Sequence, residues 1–228
     1  KVNSGEYKLM GLAPYGKPIY KDLILNNLIN IRDDGSFKLN MKYFKYQRGL
    51  KMISTAFIKL FRKPPRDPKD EISQFYMDIA SSIQNVLEMV VLRIAKNLKQ
   101  KTKKKYLCLS GGVALNCVAN GKILDQSGFE KIWIQPAAGD AGSAVGCALN
   151  FIYKDTKKLR KIDKKDSMKS SYLGPEFSNE MIQNYLDKLK IKYHKFENSV
   201  LTNKVSEYLI QGNIVGWFQG KMEYGPRA

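Results

Sequence analysis

One pattern, written twice, constrains this chain more than any other. A short apolar run ends in small residues and glycine, then turns into apolar residues at helical spacing. YLCLSGGVALNCVANGKIL occupies Tyr106 to Leu124, and IWIQPAAGDAGSAVGCAL occupies Ile132 to Leu149. Each reads as strand, tight turn and helix, so two turns of phosphate size face one end of a sheet. In the first, Gly111 and Gly112 lack a Cβ, accept unusual dihedrals, and let backbone N–H groups point at an anion from the positive end of a helix expected to start near Ala114. Ser110 adds a hydroxyl and Asn116 an amide. The second turn carries a carboxylate, Asp140, between Gly139 and Gly142, which suits a cation better than a phosphate. Phosphate in one turn and metal in the next describe a nucleotide site. A GG turn after a strand serves equally well merely to reverse the chain, and on spacing alone both readings stand.

The remaining elements follow from periodicity. Glu6 to Pro18, EYKLMGLAPYGKP, is a loop punctuated by Gly11, Pro14, Gly16 and Pro18, with Tyr15 offering a flat face for a base or ribose, or simply packing. Asp22 to Ile29 reads as a short helix, and Asn30 to Leu39 as a hairpin in which Asp33 and Asp34 form the turn. Gly49 to Phe61 has helical spacing, with Phe57, Ile58 and Phe61 as core or lid residues, and RKPPRDP breaks it. From Ile72 to Leu98 apolar residues fall three or four apart, which predicts a long helix capped by Asp67, with Pro68 at its first position. A helix is also expected over Ser143 to Tyr153, opened by Gly142 and Ser143.

Lys154 to Ser171 is polar and Lys-rich, as expected of an exposed connector between 1–153 and 172–228. Beyond it the pattern predicts helices over Asn179–Lys190 and Leu201–Gln211, with Ser178 and Gly212 at their ends, and strands over Lys192–Phe196 and Asn213–Phe218. The closing GWFQGKMEYGPRA sets Lys221, Glu223 and Arg227 after a glycine-rich strand end, where Lys and Arg can hold a phosphoryl group or Glu223 and Arg227 can pair on the surface.

Composition narrows the partners. The 39 Lys and Arg against 21 Asp and Glu give a net charge of +18, yet Lys dominates and is spread over turns and helix faces. Sequence-reading sites favour Arg, so a solvated surface is expected and nucleic acid is not. No apolar run is long enough to insert in a membrane. Cys108, Cys117 and Cys147 sit in apolar patterns, which predicts reduced, buried thiols and a cytoplasmic setting.

Four motifs in order, KLMGLAPYGKP, SGGVALN, QPAAGDAGSAVGCAL and GWFQGKMEYGPRA, closely resemble the carbamoyltransferase family that makes O-carbamoylated antibiotics and nodulation factors. The resemblance implies an α/β fold. Residues 1–153 would be the C-terminal part of an actin/Hsp70-like (ribonuclease H-like) ATPase domain, and 172–228 the start of a YrdC-like domain. It also implies ATP and carbamoyl phosphate as substrates, a carbamoyl-adenylate, a hydroxyl-bearing acceptor, and a metal that is iron, with magnesium as the other option. A homodimer is a further assembly to test.

Carried over by residue, Gly11, Tyr15 and Gly16 would lie on the adenosine side. Ser110, Gly111, Gly112 and Asn116 would meet phosphates, Gly142 and Ser143 would line the same pocket, and Asp140 would ligate the metal. Lys221, Glu223 and Arg227 would serve the first half-reaction, Lys221 standing where the family usually has Arg. By the same resemblance the family's His ligands and first phosphate loop precede residue 1, while the sole His194 lies beyond the connector. The chain is therefore read as a fragment that binds nucleotide weakly and is catalytically silent. Two other readings stay open: a tRNA threonylcarbamoyl-transfer protein of the same fold, and a non-catalytic basic RNA-binding module whose affinity would ignore ATP and survive Asp140→Ala.

Overall fold

The computed structural model describes residues 5–47, 49–159, 168 and 170–225, a mixed α/β chain in two units, 1–139 and 140–228. The first unit begins with α1 (Glu6–Leu12), a 3-10 turn (Ala13–Tyr15) and α2 (Lys21–Asn27). The hairpin follows as β1 (Ile29–Ile31) and β2 (Phe37–Leu39), antiparallel, with Ile29 opposite Leu39 and Ile31 opposite Phe37. Its turn is made by Asp34, which accepts from the Ser36 N–H at 2.9 Å and hydroxyl at 2.6 Å, and by Gly35 at φ +85°. The two aspartates are turn formers, as their spacing predicts.

α3 (Thr55–Phe61) is opened by Ser54, whose hydroxyl accepts from the Phe57 N–H at 3.4 Å. α4 (Gln74–Thr102) is the 29-residue element that the apolar spacing predicts, but Asp67 is not its cap. Asp67 instead shapes a separate turn: its carboxylate accepts from the Lys69 N–H at 2.9 Å, and the Arg66 guanidinium donates to the carbonyls of Asp67, Pro68 and Asp70. Those contacts hold the chain away from helical dihedrals, and α4 starts only after Ser73. β3 (Tyr106–Leu109), α5 (Cys117–Gln126) and β4 (Lys131–Ile134) complete the unit, with β3 and β4 parallel from Tyr106 opposite Lys131 to Leu109 opposite Ile134.

Two apolar clusters lie along α4. Ile24, Leu28, Tyr43, Phe61 and Val86 form one, with Tyr20 edge-on to Phe61 and Phe75 at 5.9 and 5.5 Å between ring centres. Ala95, Leu107, Ile123 and Phe129 form the other, beneath the parallel strands. Each large side chain buried there contributes about 1.5–3 kcal/mol. The opposite face of the strands is bare: Tyr106, Cys108 and Trp133 are exposed. Alternation puts Cys108 on that outer face, and Cys117 and Cys147 are exposed too, so the expectation of buried thiols fails at all three.

The second unit holds α6 (Asp140–Asn150), a π-helical turn (Phe151–Asp155), α7 (Asn179–Lys188) and α8 (Asn198–Ile210). Ser178 caps α7 by accepting from the Met181 N–H at 3.2 Å, and Gly212, at φ +79°, follows the end of α8. The strands expected at 192–196 and 213–218 do not form: neither segment has a ladder partner among the described residues. Of the expected connector, 160–167 and 169 lie outside the described residues. No helix among the described residues is long and apolar enough to cross a membrane.

Candidate functional site

The MGLAPYGKP segment is bolted to α4 by side chains that its apolar stripe conceals. Asp78 accepts from the Lys17 N–H at 2.8 Å and from Gln74 Nε2 at 2.9 Å, and Gln74 also donates to the Tyr15 carbonyl at 3.2 Å. One turn further on, the Ser82 hydroxyl accepts from the Tyr20 N–H at 3.0 Å and donates to the Asp78 carbonyl at 2.6 Å. Gln74, Asp78 and Ser82 stand four apart, which places them on one face. The Lys17 N–H, then Gln74, hold the Asp78 carboxyl below its ordinary value of 3.8, because both bond to the charged form.

Gly16 has a packing reason to be glycine: a Cβ there would sit 2.0 Å from the Met77 carbonyl oxygen. Gly11 has open space around its Cβ position, and the Tyr15 ring is 70% exposed. The stretch expected as a loop from Glu6 is instead α1 and a 3-10 turn as far as Tyr15, with Pro14 at the start of that turn, so Tyr15 stands exposed at the end of helical backbone tied to α4.

At the first glycine turn, β3 passes into Gly111 at φ +97° and then a 3-10 turn (Gly112–Leu115). The α-helix starts not near Ala114 but at Cys117, because Asn116 is its cap and accepts from the Ala119 N–H at 3.0 Å. The Gly111 N–H donates to the Ala138 carbonyl at 2.8 Å, which ties the first turn to the one after β4. Gly139, the last residue of the first unit, packs near Leu115. The parallel pairing thus brings both turns to one end of the strands, where open α/β sheets bind ligands. A Cβ at Gly112 would meet nothing within 4 Å, and the N–H groups of Gly112 and Val113 find no acceptor among the described residues.

Asn116 is also the end of a network that sequence reasoning missed. Asn116 Nδ2 donates to Gln84 Oε1 at 2.9 Å, and Gln84 Nε2 donates back to Asn116 Oδ1 at 3.1 Å and to Glu88 Oε1 at 2.8 Å. Lys122 closes the chain with an ion pair to Glu88. Gln84 and Glu88 are buried, so each hydrogen bond here spares a desolvated polar group worth about 1–3 kcal/mol. The signal was present as Gln84 and Glu88 at four-residue spacing inside an apolar helix.

The other named residues belong to the second unit. Asp140, Gly142 and Ser143 all lie in α6, which starts at Asp140 rather than at Ser143; the Ser143 hydroxyl donates to the Asp140 carbonyl. Lys221 and Glu223 lie in a segment held to the residues after the connector. The Gly174 N–H donates to the Met222 carbonyl at 2.9 Å, Met222 N–H to Pro175 at 3.0 Å, and Tyr224 N–H to Ser171 at 2.6 Å. A Cβ on Gly174 would come within 2.8 Å of the Met222 Cβ. Arg227 lies outside the described residues. Among the described residues no three of His, Cys, Asp and Glu gather where they could hold a metal.

Comparison with known sequences adds the family context. The family model described as Carbamoyltransferase N-terminus matches residues 1–149. An uncharacterized protein of Synechocystis sp. is 53% identical over the whole chain, which covers 37% of that protein. Nodulation protein NolO of Bradyrhizobium diazoefficiens is 30% identical over 98% of the chain, which covers 38% of it. The 3'-hydroxymethylcephem-O-carbamoyltransferase of Streptomyces clavuligerus is 30% identical over 54% of the chain, covering 21% of the enzyme.

Proposed function

The chain belongs to the carbamoyltransferase family, and from that premise we propose that it takes part in ATP-dependent transfer of a carbamoyl group from carbamoyl phosphate, through a carbamoyl-adenylate, to the hydroxyl of a sugar-like or natural-product acceptor. In this reading 1–153 is part of an actin/Hsp70-like domain, 154–171 a linker and 172–228 the start of a YrdC-like domain.

The observation that carries the reading is the open turn at the end of β3. Gly112 has room for a ligand against its backbone, and its N–H and that of Val113 meet no acceptor among the described residues, whereas Gly16 owes its missing side chain to α4. Backbone donors that are already in place stabilise phosphate charge without reorganising. Gly111 sets the dihedral of the turn, Ser110 supplies a hydroxyl and Asn116 keeps one amide proton beyond its bond to Gln84. Tyr15 offers its exposed ring to the nucleoside, with Gly11 and Gly16 flanking it.

Asp140 is one carboxylate toward iron or magnesium, with Gly142 and Ser143 beside it on α6. A lone carboxylate does not make a metal site, so no step is assigned to the ion. Lys221, Glu223 and Arg227 serve the adenylate-forming half.

Calorimetric titration with ATP tests the reading. Gly112→Val places a branched side chain in open space, so the fold should survive while ATP affinity falls by about tenfold or more, as expected when a side chain blocks backbone phosphate contacts. No ATP binding by the wild-type chain, or equal binding by the variant, would defeat it.

A further inference from the structure

We infer that the cleft between the β1–β2 hairpin and α4 binds an anionic, hydroxyl-bearing small molecule of the sugar phosphate or sugar acid class. The cleft measures about 790 Å³, room enough for a ligand of that size. Met41 and Met89 are among its apolar lining residues, and Asn26, Asn30, Lys38 and Arg93 among its polar ones. No Asp or Glu lines it.

Arg93 is the decisive residue. It is half-buried on α4, yet its one side-chain hydrogen bond among the described residues is a 3.4 Å contact from its guanidinium to the Arg32 carbonyl. Neither ion pair among those residues includes it. Neither carboxylate of the nearby turn pairs with it among the described residues: Asp34 is engaged by the N–H and hydroxyl of Ser36, and Asp33 forms no ion pair. A half-buried arginine is ordinarily paired, and here its fork is left for an oxyanion.

The amides divide in the same way. Asn27 and Asn40 are consumed by the fold, through Asn27 to the Leu23 carbonyl and Asn40 to the Asn27 carbonyl, each at 3.0 Å. Asn26 and Asn30 make no side-chain hydrogen bond among the described residues. An amide donates and accepts at once, which matches vicinal hydroxyls, while the apolar lining of Ile29, Ile31, Met41 and Met89 matches the C–H face of a ring. Nine residues separate Arg93 from Gln84, half a turn out of phase on α4, so this cleft is distinct from the Asn116 network.

Methyl spectra of the chain labelled with carbon-13 methionine give a local readout, because Met41 and Met89 line the cleft. Glucose 6-phosphate, glucuronate and glucose are the probes. The expected result is a saturable shift of both methyls with at least one of the two anions and not with glucose; preference between them tells phosphate from carboxylate. Arg93→Leu should weaken that binding by about tenfold and Arg93→Lys by less, since the ammonium keeps charge but loses the fork. Should Arg93→Leu fail to fold, Lys38→Ala on the exposed hairpin is the substitute, with a loss of a few-fold. Silence with all three probes, equal shifts with glucose, or binding unchanged in both variants would overturn the inference.

Discussion

The two units differ in what holds their helices. In the first, α4 is packed on both clusters and studded with buried polar groups that are all hydrogen-bonded. In the second, α7 and α8 form where capping and spacing dictate, yet no described residue is buried, and Met181, Tyr185, Leu209 and Trp217 stand in solvent. Local signals suffice to start a helix; tertiary burial is what makes it stable.

The comparison breaks most sharply at Phe61. Phe61→Ala should cost about 3–5 kcal/mol in urea unfolding, whereas Tyr185→Ala in the second unit should stay within about 0.5 kcal/mol. Equal losses would mean that the second unit has a core after all. Gly16→Ala should destabilise the first unit by about 1–3 kcal/mol, because its new methyl meets the Met77 carbonyl rather than a flexible side chain.

Gln84→Leu should cost a similar 1–3 kcal/mol or so, by stripping Asn116 and Glu88 of their partner, and should lower protection of the Ala119 amide in hydrogen exchange. A smaller effect sharpens the contrast from the other side. Ser178→Ala removes the α7 cap and should cost about 1 kcal/mol of local helix stability, read by circular dichroism and not by the main unfolding transition.

The mildest effect belongs to acid solution. Because its folded carboxyl titrates below 3.8, Asp78 contributes stability above that pH, and the contribution fades as pH falls through the lowered value. Exchange at the Lys17 amide should quicken only there, and Asp78→Asn should remove the dependence.

Most of the helices of both units were legible from apolar spacing and caps, and the paired turns from glycine and strand pattern. What escaped reading has physical causes. Asp67–Pro68 carries the letters of a helix start, but Arg66 recruits the neighbouring carbonyls into a turn of its own. Asp78, Ser82, Gln84 and Glu88 were invisible to a search for apolar residues, although they fix the APYG segment and Asn116. The aromatic-bearing segment 192–196 between two helices reads as a strand, but a strand is a statement about a neighbour that a single segment cannot make. In the site, proximity of the two turns follows from the parallel register, while the capping role of Asn116 required knowing where α5 begins.

The bare outer side of β3 and β4 has a practical consequence. Among the described residues each strand keeps one flank of peptide groups outside the pairing, on a sheet whose outer face shows Trp133 and Tyr106. Such a margin is a template for lateral stacking of identical molecules, so clustering should rise steeply with concentration and ease when a lysine replaces Trp133.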